Sequence, residues 1–139
     1  MKKIVKRACA GMFAALMAVS AMSVPSSAKS ISGEVGLGIT AGGNNSISST
    51  GASATTYADS SITLNVNLYY YYENKSTQDI EHTGSSNANS PVTRVYASCQ
   101  KPTGNYRSYY CYSSHNATYF FLGNSYHWGG TTKEEYYYE

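Results

Sequence analysis

Charged residues are scarce in this chain, and what is missing excludes several classes of protein. Ten Lys and Arg and eight Asp and Glu are spread over 139 residues. They form no basic patch of the kind that nucleic-acid-binding proteins need. After residue 24 there is no further apolar run long enough to cross a membrane. We therefore expect no nucleic acid among the partners and no stable membrane span beyond the N-terminal segment.

The N-terminal segment has the three parts of a secretory signal peptide. An uncharged apolar run of small residues spans 8–24, and small residues, Ser26 and Ala28, occupy the two positions that a signal peptidase reads. The basic residues before the run are Lys2, Lys3, Lys6 and Arg7. The pattern predicts a signal peptide over 1–28, cleaved after Ala28, and a secreted, extracellular protein of a bacterium. An N-terminal membrane anchor is the alternative, and the short run and the cleavage site disfavour it.

The chain that follows the predicted cut, 29–139, has the size of one domain. It keeps six of the ten basic residues and all eight acidic ones, so its net charge is about −2 rather than +2. We expect a single secreted β domain. In an alternative interpretation, 29–60 is loosely ordered, because the Ser- and Gly-rich stretch 41–54 has the composition of a flexible linker.

Two cysteines, Cys99 and Cys111, remain after the cut. An even number in an exported chain favours a disulfide, which would contribute roughly 3 kcal/mol on the chain-entropy model. Two thiols, or pairing with another chain, are the alternatives. Their spacing is poor for zinc, and we expect neither a metal nor any other cofactor.

Alternation of apolar and polar residues is the dominant pattern, and 62–73 shows it best. The residues predicted to share its core face are Ile62, Leu64, Val66, Leu68, Tyr70 and Tyr72. This period predicts a long, half-buried antiparallel strand. The residues predicted to share one face of a first strand are Ile31, Val35, Leu37 and Ile39, before a break at 41–45.

Later segments predict further strands joined by turns. The Ser- and Asn-rich stretch 74–91 indicates a loop, and 101–105 has the Pro and Gly of a tight turn. That turn predicts a hairpin of 92–100 with 106–114, which the disulfide would clamp or tie to a facing sheet. Gly123-Asn124 indicates a second hairpin. No segment of ten or more residues after the signal has convincing helical periodicity. The fold class is therefore all-β: an antiparallel sandwich or meander of about six to eight strands.

Candidate catalytic groups are few, and no catalytic residue is assigned. His115 and His127 lie on neighbouring predicted strands, so with Asp79, Glu81 or Glu134 they could form a metal site or a catalytic pair. Their spacing matches no metal motif, and the third histidine, His82, lies in a polar stretch. There is no Gly-x-Ser-x-Gly sequence. We expect no enzyme, with a small hydrolase as a remote alternative.

Tyrosine is the compositional outlier, and it supplies the candidate binding residues. All 15 tyrosines follow the signal segment. Tyr69 and Tyr71 lie on the polar face of the 62–73 strand, where exposed rings would suit a protein or a sugar. In the alternative interpretation, a second sheet covers both faces of the strand, or the tyrosines pair across strands and stabilise the sheet.

The C-terminal third resembles the lactococcin 972 family. The resemblance rests on the run His115-Asn116-Ala117-Thr118, a polar turn, Trp128 and the Tyr-rich end. The resemblance covers about 25 residues. The family consists of small exported bacteriocins of Gram-positive bacteria with a β-sandwich fold, which implies action on a competitor's cell envelope. The chain differs from the family in its two cysteines, its longer N-terminal half and its lack of an early Trp-rich segment. We expect a non-enzymatic module that binds a cell-envelope glycan or protein, with a bacteriocin-like antimicrobial as the alternative.

Overall fold

The structure, a computed structural model that describes residues 30–135, is one antiparallel sheet of six strands. The strands are β1 (Ser30–Gly36), β2 (Ile39–Ser48), β3 (Gly51–Asn74), β4 (Ile80–Gln100), β5 (Tyr106–Phe121) and β6 (Asn124–Glu135). The all-β expectation is confirmed, at the lower end of the expected strand number. The described residues include no helix that could cross a membrane. The segment 1–28 and its cleavage site lie outside the described residues.

The longest strand, β3, organises the sheet because it has two partners along one edge and one along the other. Its first part, opposite β2, pairs from Gly51 to Ala58. Its second part, opposite β5, pairs from Thr63 to Asn74. β4 follows the other edge over both parts, with a register shift between Tyr57 and Ile62. β1 and β6 then extend the sheet beyond β2 and β5.

The sheet folds over at this irregular part of β3, so that its two halves enclose one core. We call β1, β2, the first part of β3 and the second part of β4 the first half, and the remaining strands the second half. Side chains meet across the fold: the Asn45 amide on β2 donates to the Cys111 sulfur on β5 at 3.5 Å. β1 likewise approaches β6, where an added Cβ on Gly33 would lie 2.4 Å from the Trp128 ring nitrogen.

The predicted core face of 62–73 is confirmed. Its six residues are all at most 8% exposed, while the intervening residues up to Tyr71 are half-buried. Glu73, at the end of the opposite face, is also buried, because its carboxylate bonds the guanidinium of Arg107 on β5 at 2.7 Å. The pairing leaves neither charge uncompensated.

A buried imidazole links the two halves. His115 on β5 is fully buried; its Nδ1 lies 2.8 Å from the Thr56 hydroxyl and its Nε2 lies 2.9 Å from the Thr132 hydroxyl. Since Thr56 donates its only hydroxyl proton to the Asn65 carbonyl oxygen, Nδ1–H must donate to Thr56 and Nε2 must accept from Thr132. Burial lowers the pKa of His115 to about 4, so the ring is neutral at pH 7.

A second polar link lies at the other end of the core. Ser108 donates its hydroxyl proton to the Ser48 carbonyl oxygen on β2, and the buried Tyr70 hydroxyl then donates to Ser108 at 2.7 Å. Because every member has a partner, the chain of bonds fixes β2 against β5 without an orphaned group.

The expected disulfide is absent, and the expected hairpin between 92–100 and 106–114 is wrong. β4 and β5 do not pair with each other; each pairs with β3, on opposite edges. Cys99 lies opposite Ala52 in the first half, and Cys111 lies opposite Tyr70 in the second half. Both cysteines are buried thiols that belong to the same core cluster as Tyr70. They fill the core as small apolar groups.

Three further boundaries differ from the sequence prediction. Leu37 lies in the β1–β2 turn rather than in a strand, and it is 56% exposed. The stretch 41–54, with its many Gly and Ser, belongs to β2 and β3 apart from a two-residue turn. The Ser- and Asn-rich stretch, expected as a loop, forms the first part of β4 from Ile80 onward. It carries no alternation because both of its faces are largely exposed.

Candidate functional site

Aromatic side chains gather on the outer face of the second half, which is the face opposite the core. Register places Tyr71 between His82 on β4 and Tyr110 on β5, and it places Tyr69 between Gly84 and Tyr112. We call the five rings the tyrosine face. Its members are Tyr69, Tyr71, His82, Tyr110 and Tyr112.

The rings of the tyrosine face contact one another across the strands. The ring centroid of Tyr71 lies 5.5 Å from that of His82 and 5.8 Å from that of Tyr110. The centroids of Tyr69 and Tyr112 are 5.9 Å apart. Such tilted pairs contribute about 0.5–1.5 kcal/mol each beyond the burial of their area. The cross-strand pairing that the sequence left as an alternative is therefore present.

The same rings are still accessible on the β4 side. Tyr110 and Tyr112 are buried, whereas Tyr69 and Tyr71 are half-buried and His82 is exposed. Opposite Tyr69, the exposed Gly84 has no side chain that could cover the ring. Tyr69 and Tyr71 are thus both pairing and surface residues, and the accessible part is the part next to the outer strand edge.

The tyrosine face carries little net charge. Burial raises the pKa of Tyr71 and of Tyr112 to about 12, so both phenols stay protonated at pH 7. The ion pair of Glu73 and Arg107 at one end of the face compensates its own charges. Register also places Lys133 opposite Tyr112 and Glu135 opposite Tyr110, and these two charges have opposite signs. The face can therefore offer ring surface and hydroxyl groups with little net charge.

Amide and hydroxyl groups continue the face beyond the rings. The Asn67 amide, one step along β3 from Tyr69, donates to the Asn65 side-chain oxygen at 2.9 Å and to the Ser114 hydroxyl at 3.2 Å. All three side chains are half-buried on the same outer face. Rings beside amides and hydroxyls are the mixture that recognises a polar ligand with apolar patches.

The histidines do not form the catalytic or metal site that the sequence left open. His115 points into the core between two threonines, whereas His127 is exposed and contacts the Thr118 hydroxyl at 3.2 Å. The two rings lie on opposite faces of the sheet, and His82 lies on another strand. Within 30–135, no group of three or more His, Cys, Asp or Glu could hold a metal ion.

A depression lined mainly by small and hydroxyl-bearing residues lies on the outer face of the first half. The residues that line it are Ser46, Ser48, Thr50, Gly51, Ala52, Ser53 and Tyr96. Its hydroxyls largely satisfy each other, with Ser46 and Ser53 at 3.1 Å and Ser48 and Thr50 at 3.0 Å. It offers one ring, against five on the tyrosine face, and is the weaker candidate.

Sequence reasoning found Tyr69 and Tyr71 but missed the other three rings. Tyr110 and Tyr112 share the face because the register of β5 shifts opposite Tyr71 and Tyr72, which interrupts the alternation around Tyr109. His82 could not be found because its part of β4 has the composition of a loop.

Comparisons with known proteins identify no relative: no family model, no curated protein and no solved structure matches this chain.

Proposed function

We propose that the chain is an exported, non-enzymatic β module that binds a partner on a cell surface through the tyrosine face. One observation carries the proposal: half-buried rings, fixed by their neighbours, border an open strand edge on a face with little net charge. Rigid rings bind at a low entropic cost, because pairing has already fixed their rotamers. The predicted signal peptide supports a site of action outside the cell.

Among the proposed partners, a neutral glycan of the cell envelope fits the face best. Sugars present apolar C–H patches between hydroxyl groups, and along the outer face of β3 the amides of Asn65 and Asn67 are followed by the rings of Tyr69 and Tyr71. A flat protein surface is the other partner of this class. Neither requires a cofactor.

The experiment uses a substitution that covers the rings without removing them. A Cβ added to Gly84 would lie 3.9 Å from the Tyr69 ring and 3.3 Å from the Leu68 carbonyl oxygen. Gly84→Gln therefore places an amide chain over Tyr69, with a small adjustment of the backbone. Tyr69→Ser and Tyr71→Ser are less useful, because they also remove the pairs with Tyr112, Tyr110 and His82.

Binding of the purified protein to cells and to isolated cell walls of related Gram-positive bacteria is then measured. We expect at least tenfold weaker binding for Gly84→Gln, and unchanged binding for Ser98→Gln, a control at an exposed position of β4 in the first half. If Gly84→Gln binds as strongly as the unmodified protein and melts at a similar temperature, the tyrosine face is not the site.

A bacteriocin-like antimicrobial is the second candidate, on the strength of the resemblance around 115–118 and Trp128. The same strains distinguish the two functions. Growth inhibition at concentrations that saturate binding favours the bacteriocin, and binding without inhibition favours the module. A small hydrolase would instead release soluble products from the isolated walls.

A further inference from the structure

Two hairpin turns of this sheet place a leucine where the backbone favours other residues. In the β1–β2 turn, Leu37 and Gly38 have φ angles of 53° and 78°; in the β5–β6 turn, Leu122 and Gly123 have 49° and 79°. Two successive positive φ angles are typical of a type I′ turn, in which Asn, Asp or Gly is strongly preferred at the first position. A leucine there costs about 1–2 kcal/mol of backbone strain.

Burial does not offset the backbone strain at either leucine. Leu37 is 56% exposed and Leu122 is 84% exposed. Beside Leu122, Phe120 is 67% exposed and Phe121 is 44% exposed. Four of the five exposed large hydrophobic side chains among the described residues are therefore in or beside these two turns, and we call these four the apolar tip.

The two turns lie at the same end of the folded sheet. A Cβ added to Gly36, next to Leu37, would lie 2.5 Å from the Tyr126 ring of β6. Tyr126 is in turn 6.5 Å from Tyr119, and Tyr119 stacks on Phe121 at 6.0 Å with the ring planes 16° apart. Contiguous rings thus connect the first turn to the second.

Charged residues are absent from the apolar tip and from the parts of the strands next to it. None of 35–58 and none of 108–132 is Asp, Glu, Lys or Arg. The charged residues nearest to the first turn are Glu34, which pairs with Thr40, and Asp59, whose carboxylate bonds Thr40 at 2.8 Å. Thr40 is three residues from Leu37, or roughly 10 Å along a strand.

The β5–β6 hairpin extends a similar distance beyond its neighbouring strand. The last residue of β5 that pairs with β3 is Thr118, so Phe121 extends about three residues, roughly 10 Å, beyond that pairing. Tyr119 and Tyr126 lie just behind it, with His127 and Trp128 one step further back. Aromatic residues behind an apolar end are typical of groups that sit at the boundary between acyl chains and headgroups.

We propose that the apolar tip inserts into the outer part of a lipid bilayer. The tip is convex, formed by the crests of two turns, so a lipid layer that deforms around it fits better than a protein, which would need a matching groove. A depth of roughly 10 Å agrees with that of interfacial apolar segments. The lack of charge near the tip predicts that zwitterionic lipid suffices. The inference concerns a different surface from the tyrosine face and does not depend on the function proposed above.

The test measures binding of the protein to phosphatidylcholine vesicles by co-sedimentation. Residues 30–135 contain all six strands and the core described above, so a chain starting at Lys29 carries the complete fold without the apolar N-terminal segment. The key variant is Leu37→Asn with Leu122→Asn. Because Asn suits a positive φ, this variant should melt at the same temperature or higher.

We expect the unmodified chain to bind the vesicles and the double Asn variant to bind at least tenfold more weakly. Tyr96→Ser, at an exposed ring outside the tip, serves as the control and should bind like the unmodified chain. Phe120→Ser provides a second variant whose loss of binding does not depend on turn geometry. The proposal is overturned if the unmodified chain does not bind, or if the double variant binds equally well. It is also overturned if the double variant only abolishes self-association in buffer, since the tip would then join two copies of the chain.

Discussion

The buried imidazole of His115 should make the fold sensitive to mild acid. In the folded state, burial holds its pKa at about 4, whereas an unfolded histidine has its ordinary value of 6.5. Between these values the unfolded chain binds a proton that the folded chain does not. The free energy of unfolding should therefore be constant above about pH 6.5, fall as the pH decreases towards 4, and level off below that.

The size of the effect follows from the difference in pKa. A difference of about 2.5 units corresponds to about 3 kcal/mol, of which about 2.5 kcal/mol is lost between about pH 7.5 and about pH 4.5. That is a large part of the stability of a typical small domain. Carboxyl groups begin to titrate at the acid end of this range. Asp59 does so only below it, because its bonds to Thr40 lower its pKa. The measurement must therefore be a difference between variants that share these carboxyl groups.

Urea unfolding at the two pH values, followed by circular dichroism, provides the measurement. His115→Gln keeps one donor and one acceptor for Thr56 and Thr132 but cannot titrate, so it should lose about 2.5 kcal/mol less than the unmodified chain. His127→Gln, at an exposed ring, should behave like the unmodified chain. Equal acid losses in all three proteins would refute the assignment of a neutral, buried His115.

Three further predictions concern the core. Leu64→Asn should destabilise the fold by several kcal/mol in urea unfolding, because it buries an unpaired amide. Asn65→Thr, at a half-buried position, should change stability by less than about 1 kcal/mol. Equal effects would contradict the assignment of the core face of β3. Cys99 and Cys111 should both resist a thiol reagent in the native protein and both react after unfolding without reductant; a mass two hydrogens lower, with no reaction, would show a disulfide. Gly43→Ala should lower stability by about 1–3 kcal/mol, because its Cβ would lie 2.2 Å from the buried imidazole; an unchanged melting temperature would contradict this packing.

The core face of β3 could be predicted from the sequence because a strand with one buried and one outer face shows the clearest alternation of apolar and polar residues. Residues 62–73 have one face towards the core and one towards the outside, so the period of two is uninterrupted from Ile62 to Tyr72. The same argument fails for 80–91. Both faces of that part of β4 are largely exposed, so selection for apolar residues acts on neither face, and a paired strand has the composition of a loop.

The path of the chain after β4 could not be read from local signals. The turn at 101–105 has the residues of a hairpin turn, yet it leads from one edge of β3 in the first half to the opposite edge in the second half. A turn sequence specifies how the backbone reverses, but not which strand it pairs with next. The disulfide is expected from the even number of cysteines in an exported chain, and that number does not say which strands carry Cys99 and Cys111.

Two of the five rings of the tyrosine face could be predicted, for the same reason as the core face of β3. Tyr69 and Tyr71 belong to the regular part of β3, where the period assigns their side. Tyr110 and Tyr112 lie beyond a register shift, and such a shift moves side chains to the other face without changing the composition. His82 belongs to the stretch without alternation.

The packing of rings over glycines explains why β1 and β2 are rich in small residues, a composition that is otherwise typical of a flexible linker. The Gly33 and Gly43 positions face Trp128 and His115, whose ring atoms lie 2.4 Å and 2.2 Å from where a Cβ would be. These two rings of the second half thus occupy the space that side chains at the two glycine positions of the first half would need. Small residues in β1 and β2 are therefore part of the core rather than signs of a linker. Sequence alone could not show this, because each ring and its glycine are more than 70 residues apart in the chain.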